Sequence, residues 1–219
     1  MHIITLTTQK GGAGKTTLAT ALAIAAQEAG ETVAMFDLDP QRSLLAWSEA
    51  RQGDTPHVEV FPADRIAQLP DMVRSLAGKF SVVILDTAGA DNTATHKAME
   101  AATLCLVPLR PTRLDVNAVK PTVQAILRGG TPFAFILNQC PPQPNNTRAA
   151  EVATGLGAIG HLAEPLIIQR ADYQDAYAVG QGVTEYAPSG KAADEARRLW
   201  GWIARQSKAP SNRNERHAA

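Results

Sequence analysis

Short apolar, β-branched runs alternate along the chain with longer segments of helical periodicity, and this alternation restricts the fold more than any other feature. The strand-like runs are residues 3–8, 32–36, 58–61, 80–86, 103–109 and 132–138, with a weaker one at 166–168. The helical segments are residues 15–29, 43–51, 63–77, 93–102, 116–127 and 148–156. Runs such as Val82-Val83-Ile84-Leu85 are apolar at every position, which is typical of strands covered by helices on both faces of a parallel sheet. We therefore predict an α/β fold with a doubly wound, mostly parallel sheet.

The length and composition of the chain indicate one globular domain. Of its 219 residues, 45% are hydrophobic and 19% are charged, so a sizeable core can form. We expect residues 1–206 to form this domain and residues 207–219, which lack large apolar side chains, to be a disordered polar tail. The two cysteines, Cys105 and Cys140, cannot build a disulfide scaffold. We expect a cytoplasmic protein with structural cysteines and no secretion signal.

The first predicted strand runs into a glycine-rich turn and then into a helix. Residues 9–17 read Gln-Lys-Gly-Gly-Ala-Gly-Lys-Thr-Thr. Glycines let the backbone fold tightly, so that its N–H groups converge on phosphate oxygens at a helix N-terminus. In such a P-loop, Lys15 reaches the β- and γ-phosphates and the hydroxyl of Thr16 coordinates Mg²⁺. The strict P-loop pattern fails because its first glycine falls on Gln9. The predicted nucleotide-binding residues of the loop are Gly11, Gly12, Ala13, Gly14, Lys15, Thr16 and Thr17.

This variant loop resembles the deviant Walker A loop of the ParA/MinD family of ATPases, whose hallmark is an additional lysine, here Lys10. The resemblance implies ATP and Mg²⁺ as ligands and an ATP-dependent homodimer as the active form. It also implies that Lys10 reaches the nucleotide held by the other subunit. Lys10 would then stabilise phosphate charge in trans, in the manner of an arginine finger.

Two further segments follow the pattern of the same family. Residues 37–41 read Asp-Leu-Asp-Pro-Gln at the end of the second predicted strand, and four apolar residues lead into Asp86. Carboxylates at the carboxyl ends of parallel strands lie at the crevice where ligands bind. By resemblance, Asp39 orients the attacking water, Asp37 supports the switch segment, and Asp86 is the Walker B carboxylate. The predicted metal-binding residues are thus Thr16, Asp39 and Asp86, and the predicted catalytic residues are Lys10, Lys15 and Asp39.

The resemblance continues to about residue 205, although it is sharpest over residues 1–115. Residues 102–115 resemble the family's apolar strand, its proline and the aspartate that opens the next helix. Asn138 ends a predicted strand at the place where family members carry an asparagine that hydrogen-bonds adenine. An asparagine at a strand end also serves as a turn former, so both roles stay open.

The C-terminal segment is basic, whereas the whole chain is neutral with 21 Lys and Arg against 21 Asp and Glu. From residue 190 onward there are seven basic and three acidic residues, a net charge of +4. Three of the basic residues recur every seven positions and, on a helix, share one face with Trp202, which suits contact with a DNA backbone. A solvated helix face has the same pattern and remains the alternative. The predicted DNA-binding residues are Lys191, Arg198 and Arg205, with Arg170 and Arg148 as further candidates.

Within the family, the chain resembles the short ParA-type partition ATPases. We expect an ATP-bound dimer that binds DNA nonspecifically, associates with the nucleoid, and drives plasmid or chromosome segregation with a ParB-like centromere-binding protein. The polar residues 207–219 argue against a MinD-type membrane helix, and residues 90–96 lack the cluster cysteine of the nitrogenase iron protein. The first strand begins at residue 2 or 3, so we expect no operator-reading domain before it. Two alternatives stay open: a ParA-like positioning ATPase for a non-DNA cargo, and an ATP-dependent amide synthase on the same fold.

Overall fold

Seven parallel strands form a single sheet in the order β3-β2-β4-β1-β5-β6-β7. A computed structural model describes residues 1–142 and 147–206 of the chain. The strands are β1 His2–Leu6, β2 Val33–Asp37, β3 His57–Val60, β4 Val82–Asp86, β5 Leu104–Leu109, β6 Phe133–Leu137 and β7 His161–Leu162. The strand order reverses between β1 and its neighbours β4 and β5, which confirms the predicted doubly wound architecture.

Ten α-helices lie between or after these strands within the described residues. They are α1 Lys15–Glu28, α2 Ser43–Ala50, α3 Leu69–Ser75, α4 Thr93–Ala101, α5 Arg113–Ala118, α6 Lys120–Gly129, α7 Thr147–Gly157, α8 Ala171–Ala178, α9 Val183–Tyr186 and α10 Lys191–Gln206. A 3₁₀ helix, Ala63–Gln68, precedes α3. The predicted tail, residues 207–219, lies outside the described residues, so its disorder stays a prediction.

Both faces of the sheet are buried, as the continuous apolar runs predict. In β4, Val82 and Ile84 pack into the layer that contains α1 and α10, whereas Val83 and Leu85 pack into the opposite layer beneath α3 and α4. A third cluster lies on that same opposite side, between β5, β6 and the helices α6 and α7. No helix within residues 1–142 and 147–206 has the length and apolarity needed to cross a bilayer.

Three predicted elements differ from the observed ones, and each difference has a local cause. The segments predicted as single helices at 63–77 and 116–127 are each divided, because Pro70 and Pro121 lie in the first turn of a new helix. A proline is favoured there since its missing N–H has no acceptor to lose.

The prediction of a weak strand at residues 166–168 was wrong. The edge strand is β7 instead, and Ile168 forms only an isolated bridge with Cys140. Gln139 has a left-handed backbone conformation with φ 52°, which interrupts the extended chain after β6. No regular ladder can therefore continue beside residues 166–168.

Candidate nucleotide-binding site

The glycine-rich loop joins the carboxyl end of β1 to the first turn of α1. Gly12 and Gly14 have φ angles of 75° and 83°, in the left-handed region that residues with a side chain rarely adopt. Gly14 is the N-cap of α1 and supplies no side-chain acceptor, so the first N–H groups of the helix stay available for an anion. Gly89, three residues after Asp86, packs so closely that a Cβ atom on it would lie 3.2 Å from the N atom of Gly11. The loop thus has the backbone conformation of the predicted phosphate-binding loop, and phosphate binding by its residues stays a prediction.

Strand pairing brings two of the predicted carboxylates together beside this loop. Asp37 at the end of β2 is in register with Asp86 at the end of β4, and Leu6 of β1 is the next neighbour. Both aspartates are almost fully buried. Lys15 is buried as well, and burial lowers the pKa of its ammonium group, an effect that the negative charges of Asp86 and Asp39 oppose. Lys15 therefore lies in a site of opposite charge that is withdrawn from solvent.

Asp86 carries a buried carboxylate that lacks hydrogen-bond donors. Neither of its oxygens has a partner in hydrogen-bonding geometry within the described residues. Burial raises the pKa of Asp86 to about 7; the Thr16 hydroxyl and Lys15 oppose this rise, and the charges of Asp37 and Asp39 add to it. Thr16 and Lys15 lie close enough to stabilise the charge, but neither is in hydrogen-bonding geometry with the carboxylate. Its two oxygens therefore remain acceptors that a bound cation would satisfy.

The surroundings of Asp86 fit Mg²⁺, a hard cation that prefers oxygen ligands and keeps several waters and substrate phosphates in its shell. Within the described residues no group of three or more His, Cys, Asp or Glu side chains could hold a metal by itself. Asp86 and the Thr16 hydroxyl are the groups that would hold the ion, and it would neutralise charge on the phosphates. The metal-binding role predicted for Asp39 stays a prediction.

Asp37 fixes the segment that carries Asp39. One oxygen of Asp37 accepts a hydrogen bond from the backbone N–H of Asp39 at 3.0 Å, and the other accepts from Leu45 N–H at 3.0 Å. Burial raises the pKa of Asp37, whereas these two bonds lower it. The Asp39 side chain is half-buried and accepts from Gln41 N–H at 2.9 Å. This arrangement suits the supporting role predicted for Asp37; the catalytic role of Asp39 stays a prediction.

The same segment is linked through α2 to the later part of the chain. The hydroxyl of Tyr177 in α8 donates to the carbonyl of Ser43 at 2.7 Å, and the Trp47 indole N–H donates to Gln181 at 3.1 Å. The Arg51 guanidinium forms two hydrogen bonds with the carboxylate of Glu185 in α9, at 2.8 and 2.7 Å. Helix α2 is thus attached to α8 and α9 along its whole length.

Lys10 is held by a carboxylate of its own chain. Its Nζ atom lies 2.9 Å from Oδ1 of Asp115, which is 2% exposed, and Arg110 Nε lies 3.3 Å from the same oxygen. Thr112, the N-cap of α5, accepts from Asp115 N–H and donates its hydroxyl to the Asp115 carboxylate. Burial by itself would raise the pKa of Asp115, but the hydrogen bonds from Thr112 and Lys10 and the charge of Arg110 hold it below its usual value.

Asn138 lies beside the loop, with its amide nitrogen engaged by the backbone. Asn138 Nδ2 donates to the carbonyl of Ala13 at 2.8 Å, and Gln139 Nε2 donates to that of Gly12 at 3.2 Å. A Cβ atom on Gly14 would lie 2.4 Å from Asn138 Nδ2, so glycine is required there by space as well as by conformation. The adenine contact predicted for Asn138 stays a prediction.

The predicted DNA-binding residues differ in exposure and in whether an acidic side chain is paired with them. Lys191, Arg198 and Arg205 are exposed along one face of α10, with Arg198 3.6 Å from Asp194 in a surface ion pair. Arg170 is paired instead with the buried Glu195, its Nη2 lying 2.7 Å from Oε1. Arg148, in α7, is exposed but lies far along the chain from α10.

The prediction that Trp202 is exposed beside these basic residues was wrong. Trp202 is 9% exposed and belongs to the core cluster with Leu199 and Ile203. Helix α10 packs against α1, and its buried face includes Trp202 in addition to Leu199 and Ile203. The basic face therefore offers cations without an aromatic ring.

Sequence reasoning missed the site contacts of three residues: Asp115, which it identified only as the aspartate that opens a helix, Gln139 and Gly89. Asp115 has a detectable signal, because Thr112 and Asp115 have the spacing of a helix capping box. Gln139 and Gly89 have none, because glutamine has no preference for a left-handed backbone and Gly89 acts through a contact with a distant loop.

Fold and site together define a P-loop nucleotide-binding domain of the α/β class, with a lysine-bearing loop and a buried carboxylate at the end of β4. The model of the CobQ/CobB/MinD/ParA nucleotide binding domain matches residues 4–170. The chain belongs to this family.

The relatives of this chain include a ParA protein and a carboxysome distribution protein. Protein ParA of Rhizobium radiobacter is 33% identical over 134 residues, covering 58% of this chain and 56% of the relative. The maintenance of carboxysome distribution protein A of Halothiobacillus neapolitanus is 28% identical over 202 residues, covering 87% of this chain and 90% of the relative. The chain thus spans little more than half the length of the ParA and virC1 proteins of Rhizobium radiobacter that it matches.

Solved structures of low sequence identity share the fold. The cell division ATPase MinD of Pyrococcus furiosus has a TM-score of 0.73 at 19% identity, covering 94% of this chain and all of that one. Cobyrinic acid a,c-diamide synthase of Mycobacterium smegmatis, solved with an ATP analogue and magnesium, has a TM-score of 0.75 at 19% identity, covering 95% and 96%. These likenesses show the shared fold, and ATP and Mg²⁺ stay the ligands predicted for this chain's site.

Proposed function

We propose that the chain hydrolyses ATP and uses the cycle of binding and hydrolysis to segregate DNA, as a ParA-type partition protein in the cytoplasm. The observation that carries the ATPase part is the Asp86 carboxylate, buried without a partner beside a glycine-rich loop and Lys15. Loop N–H groups and Lys15 would bind the phosphates, and Asp39, on the segment held by Asp37, would orient the attacking water. Lys10 would leave Asp115 and contact the phosphates held by a second subunit.

The DNA-binding part is supported by charge and by similarity to a ParA protein. Lys191, Arg198 and Arg205 present three cations on one exposed face of α10 with one acidic residue, Asp194, among them. Cations arranged in this way bind phosphate backbones without reading sequence. Arg170 is a weaker candidate because it neutralises Glu195. Release from DNA would follow hydrolysis, stimulated by a ParB-like centromere-binding partner.

A second candidate is a ParA-like ATPase that positions a non-DNA cargo. The similarity to a carboxysome distribution protein extends over more of the chain than the similarity to ParA, 87% against 58%. The burial of Trp202 also removes the aromatic group from the proposed DNA-binding face. The amide synthase alternative has only a fold-level likeness behind it.

The decisive experiment measures binding to nonspecific duplex DNA with ATP and with ADP, at about 50 mM and 200 mM salt. The partition proposal requires ATP-dependent binding that weakens steeply with salt. The double variant Arg198→Glu, Arg205→Glu should lose this binding and keep its DNA-independent ATPase activity.

A matched control is Arg65→Glu, Arg128→Glu, which makes the same change of charge at exposed positions on the opposite side of the sheet. DNA binding equally weak in both double variants would indicate an effect of net charge alone. No ATP-dependent DNA binding by the wild-type protein would favour the non-DNA cargo.

A further inference from the structure

The side chains of Asn138 and Gln139 both reach the phosphate-binding loop, although consecutive residues of an extended strand point to opposite sides. Their amide groups donate to consecutive carbonyls, Asn138 to Ala13 at 2.8 Å and Gln139 to Gly12 at 3.2 Å. The left-handed backbone of Gln139, with φ 52°, removes it from the extended conformation that would direct it elsewhere. Only one other non-glycine residue in the described part of the chain, Arg42, has a positive φ.

We propose that Asn138 and Gln139 are positioning residues that orient the N–H groups of the loop toward phosphate. In a planar trans peptide, the carbonyl and the following N–H point in opposite directions. Holding the carbonyls of Gly12 and Ala13 against the two amides therefore directs the N–H groups of Ala13 and Gly14 away from them, to the side open for the anion. Without these bonds, the same peptide planes could turn and present carbonyl oxygens, which repel phosphate.

The packing around Gly14 shows how closely the amides and the loop fit. A Cβ atom on Gly14 would lie 2.4 Å from Asn138 Nδ2 and 3.3 Å from Gln139 Nε2. Asn138 is 5% exposed, so water cannot readily replace its donor to Ala13. Gln139 is more exposed, and its bond is the longer of the two. Asn138 should therefore have the larger effect on the loop, and Gln139 the smaller.

This role differs from a contact with adenine, and it holds for either proposed cargo, although it rests on the proposed binding of nucleotide. An adenine contact would affect only ligands that carry the base. A bond that orients loop N–H groups affects every ligand that carries the phosphates. A base-free ligand thus separates the two roles.

The experiment compares the binding of ADP and of inorganic pyrophosphate, each with Mg²⁺, by calorimetry on the full chain. Gln139→Met removes the donor at nearly constant size and charge. It should lower the affinity for both ligands by a similar factor, about two- to tenfold for the loss of one hydrogen bond. Asn138→Ala should weaken both at least as much. Gln52→Met, at an exposed position remote from the loop, is the control and should bind both ligands as the wild-type protein does.

The outcomes separate the proposal from the function on which it rests. Unchanged affinity of Gln139→Met for both ligands would overturn it, as would a loss confined to ADP in Asn138→Ala, which assigns Asn138 to the base. Should Asn138→Ala not fold, Gln139→Met decides alone, because Gln139 is only half-buried and the variant's unfolding temperature is expected to match the wild-type value. A wild-type protein that binds neither ligand would refute nucleotide binding itself.

Discussion

Lys10 and Asp115 form an ion pair of 2.9 Å within one subunit, so the lysine expected to act on a second subunit's nucleotide is bound by its own chain. Acting in trans requires this pair to separate. Arg110, 3.3 Å from the same carboxylate oxygen, would then remain as the counter-ion of Asp115. The cost of moving Lys10 is therefore smaller than that of leaving a buried carboxylate uncompensated.

Asp115→Asn should lower the free energy of unfolding at pH 7 by about 1–3 kcal/mol, because it removes the charge that Lys10 and Arg110 share. The pKa of Asp115 is held below its usual value, so the stabilisation is present above pH about 4 and is lost as the pH falls through the lower pKa of the folded state. Urea unfolding of both proteins at pH 7 and at about pH 3 measures this difference. Asp71→Asn, which removes an almost fully exposed partner of Arg74, is the control and should change little. If Asp115→Asn lowers the free energy of unfolding as much at pH 3 as at pH 7, the charge of Asp115 is not the source of the stabilisation.

Lys10→Ala should cost less stability than Asp115→Asn, because Arg110 still neutralises Asp115. It should nevertheless prevent ATP-dependent dimer formation, measured by light scattering with a slowly hydrolysed ATP analogue. Lys97→Ala removes a lysine from a surface ion pair and is the matched control for stability. A Lys10→Ala protein that dimerises normally would assign this lysine to the Asp115 pair alone.

Lys15→Ala should weaken ATP binding by about a hundredfold or more, since it removes a charged donor to the phosphates from a site withdrawn from water. Calorimetric titration with ATP and Mg²⁺ measures the loss. Lys79→Ala, at an exposed lysine near Phe80, should bind ATP normally. Intact ATP affinity in Lys15→Ala would refute the assignment of the loop.

Asp39→Ala should bind ATP with near-normal affinity and hydrolyse it about 10²–10⁴-fold more slowly, because it removes the group that orients the attacking water. The ATP-bound dimer should then accumulate. Phosphate release and dimer fraction are measured on the same sample, with the exposed Asp54→Ala as the control. Normal turnover would show that another group orients the water.

Asp86→Asn should make the protein more stable in EDTA at pH 8, by a few kcal/mol, and should make little difference at pH 4. Burial raises the pKa of Asp86 to about 7, so between pH 4 and 7 the folded chain keeps a proton that the unfolded chain loses. Its contribution to stability therefore falls as the pH rises to about 7 and stays low above it. Thermal unfolding across this range measures the effect.

Asp37→Asn is the matched comparison for Asp86→Asn, because Asp37 is buried next to Asp86 but accepts two backbone N–H groups. Burial raises the pKa of Asp37 as well, but the amide nitrogen of the variant cannot accept the second backbone N–H. Because this loss should outweigh the relief from burying a charge, the variant should be less stable at pH 8, opposite in sign to Asp86→Asn. The same sign for both variants would contradict the view that Asp86 lacks partners and awaits a cation. Asp86→Asn should also weaken the Mg²⁺ dependence of ATP binding.

The parallel sheet and the loop could be predicted because each depends on neighbouring residues. Continuous apolar runs such as Val82 to Leu85 report burial on both faces, and the glycines with Lys15 report an anion site. The contacts of Lys10 with Asp115 and of Asn138 with Ala13 join residues more than a hundred positions apart, and no local pattern encodes them. Trp202 shows the same limit: its burial depends on how widely α10 packs on α1, which helical periodicity does not specify.

The two hydrogen bonds that Asp37 accepts have a consequence for helices α8, α9 and α10. Its carboxylate accepts hydrogen bonds from the backbone N–H groups of Asp39 and Leu45, at the two ends of residues 39–45. Helix α2, which includes Leu45, and Arg51 just after it are hydrogen-bonded to Tyr177, Gln181 and Glu185. A backbone movement at Asp39 would therefore break these hydrogen bonds or displace α8 and α9. Helix α9 packs against α10, so such a displacement would be passed on to α10. These contacts give a physical route by which movement at the end of β2 would reach the surface that carries Arg198 and Arg205.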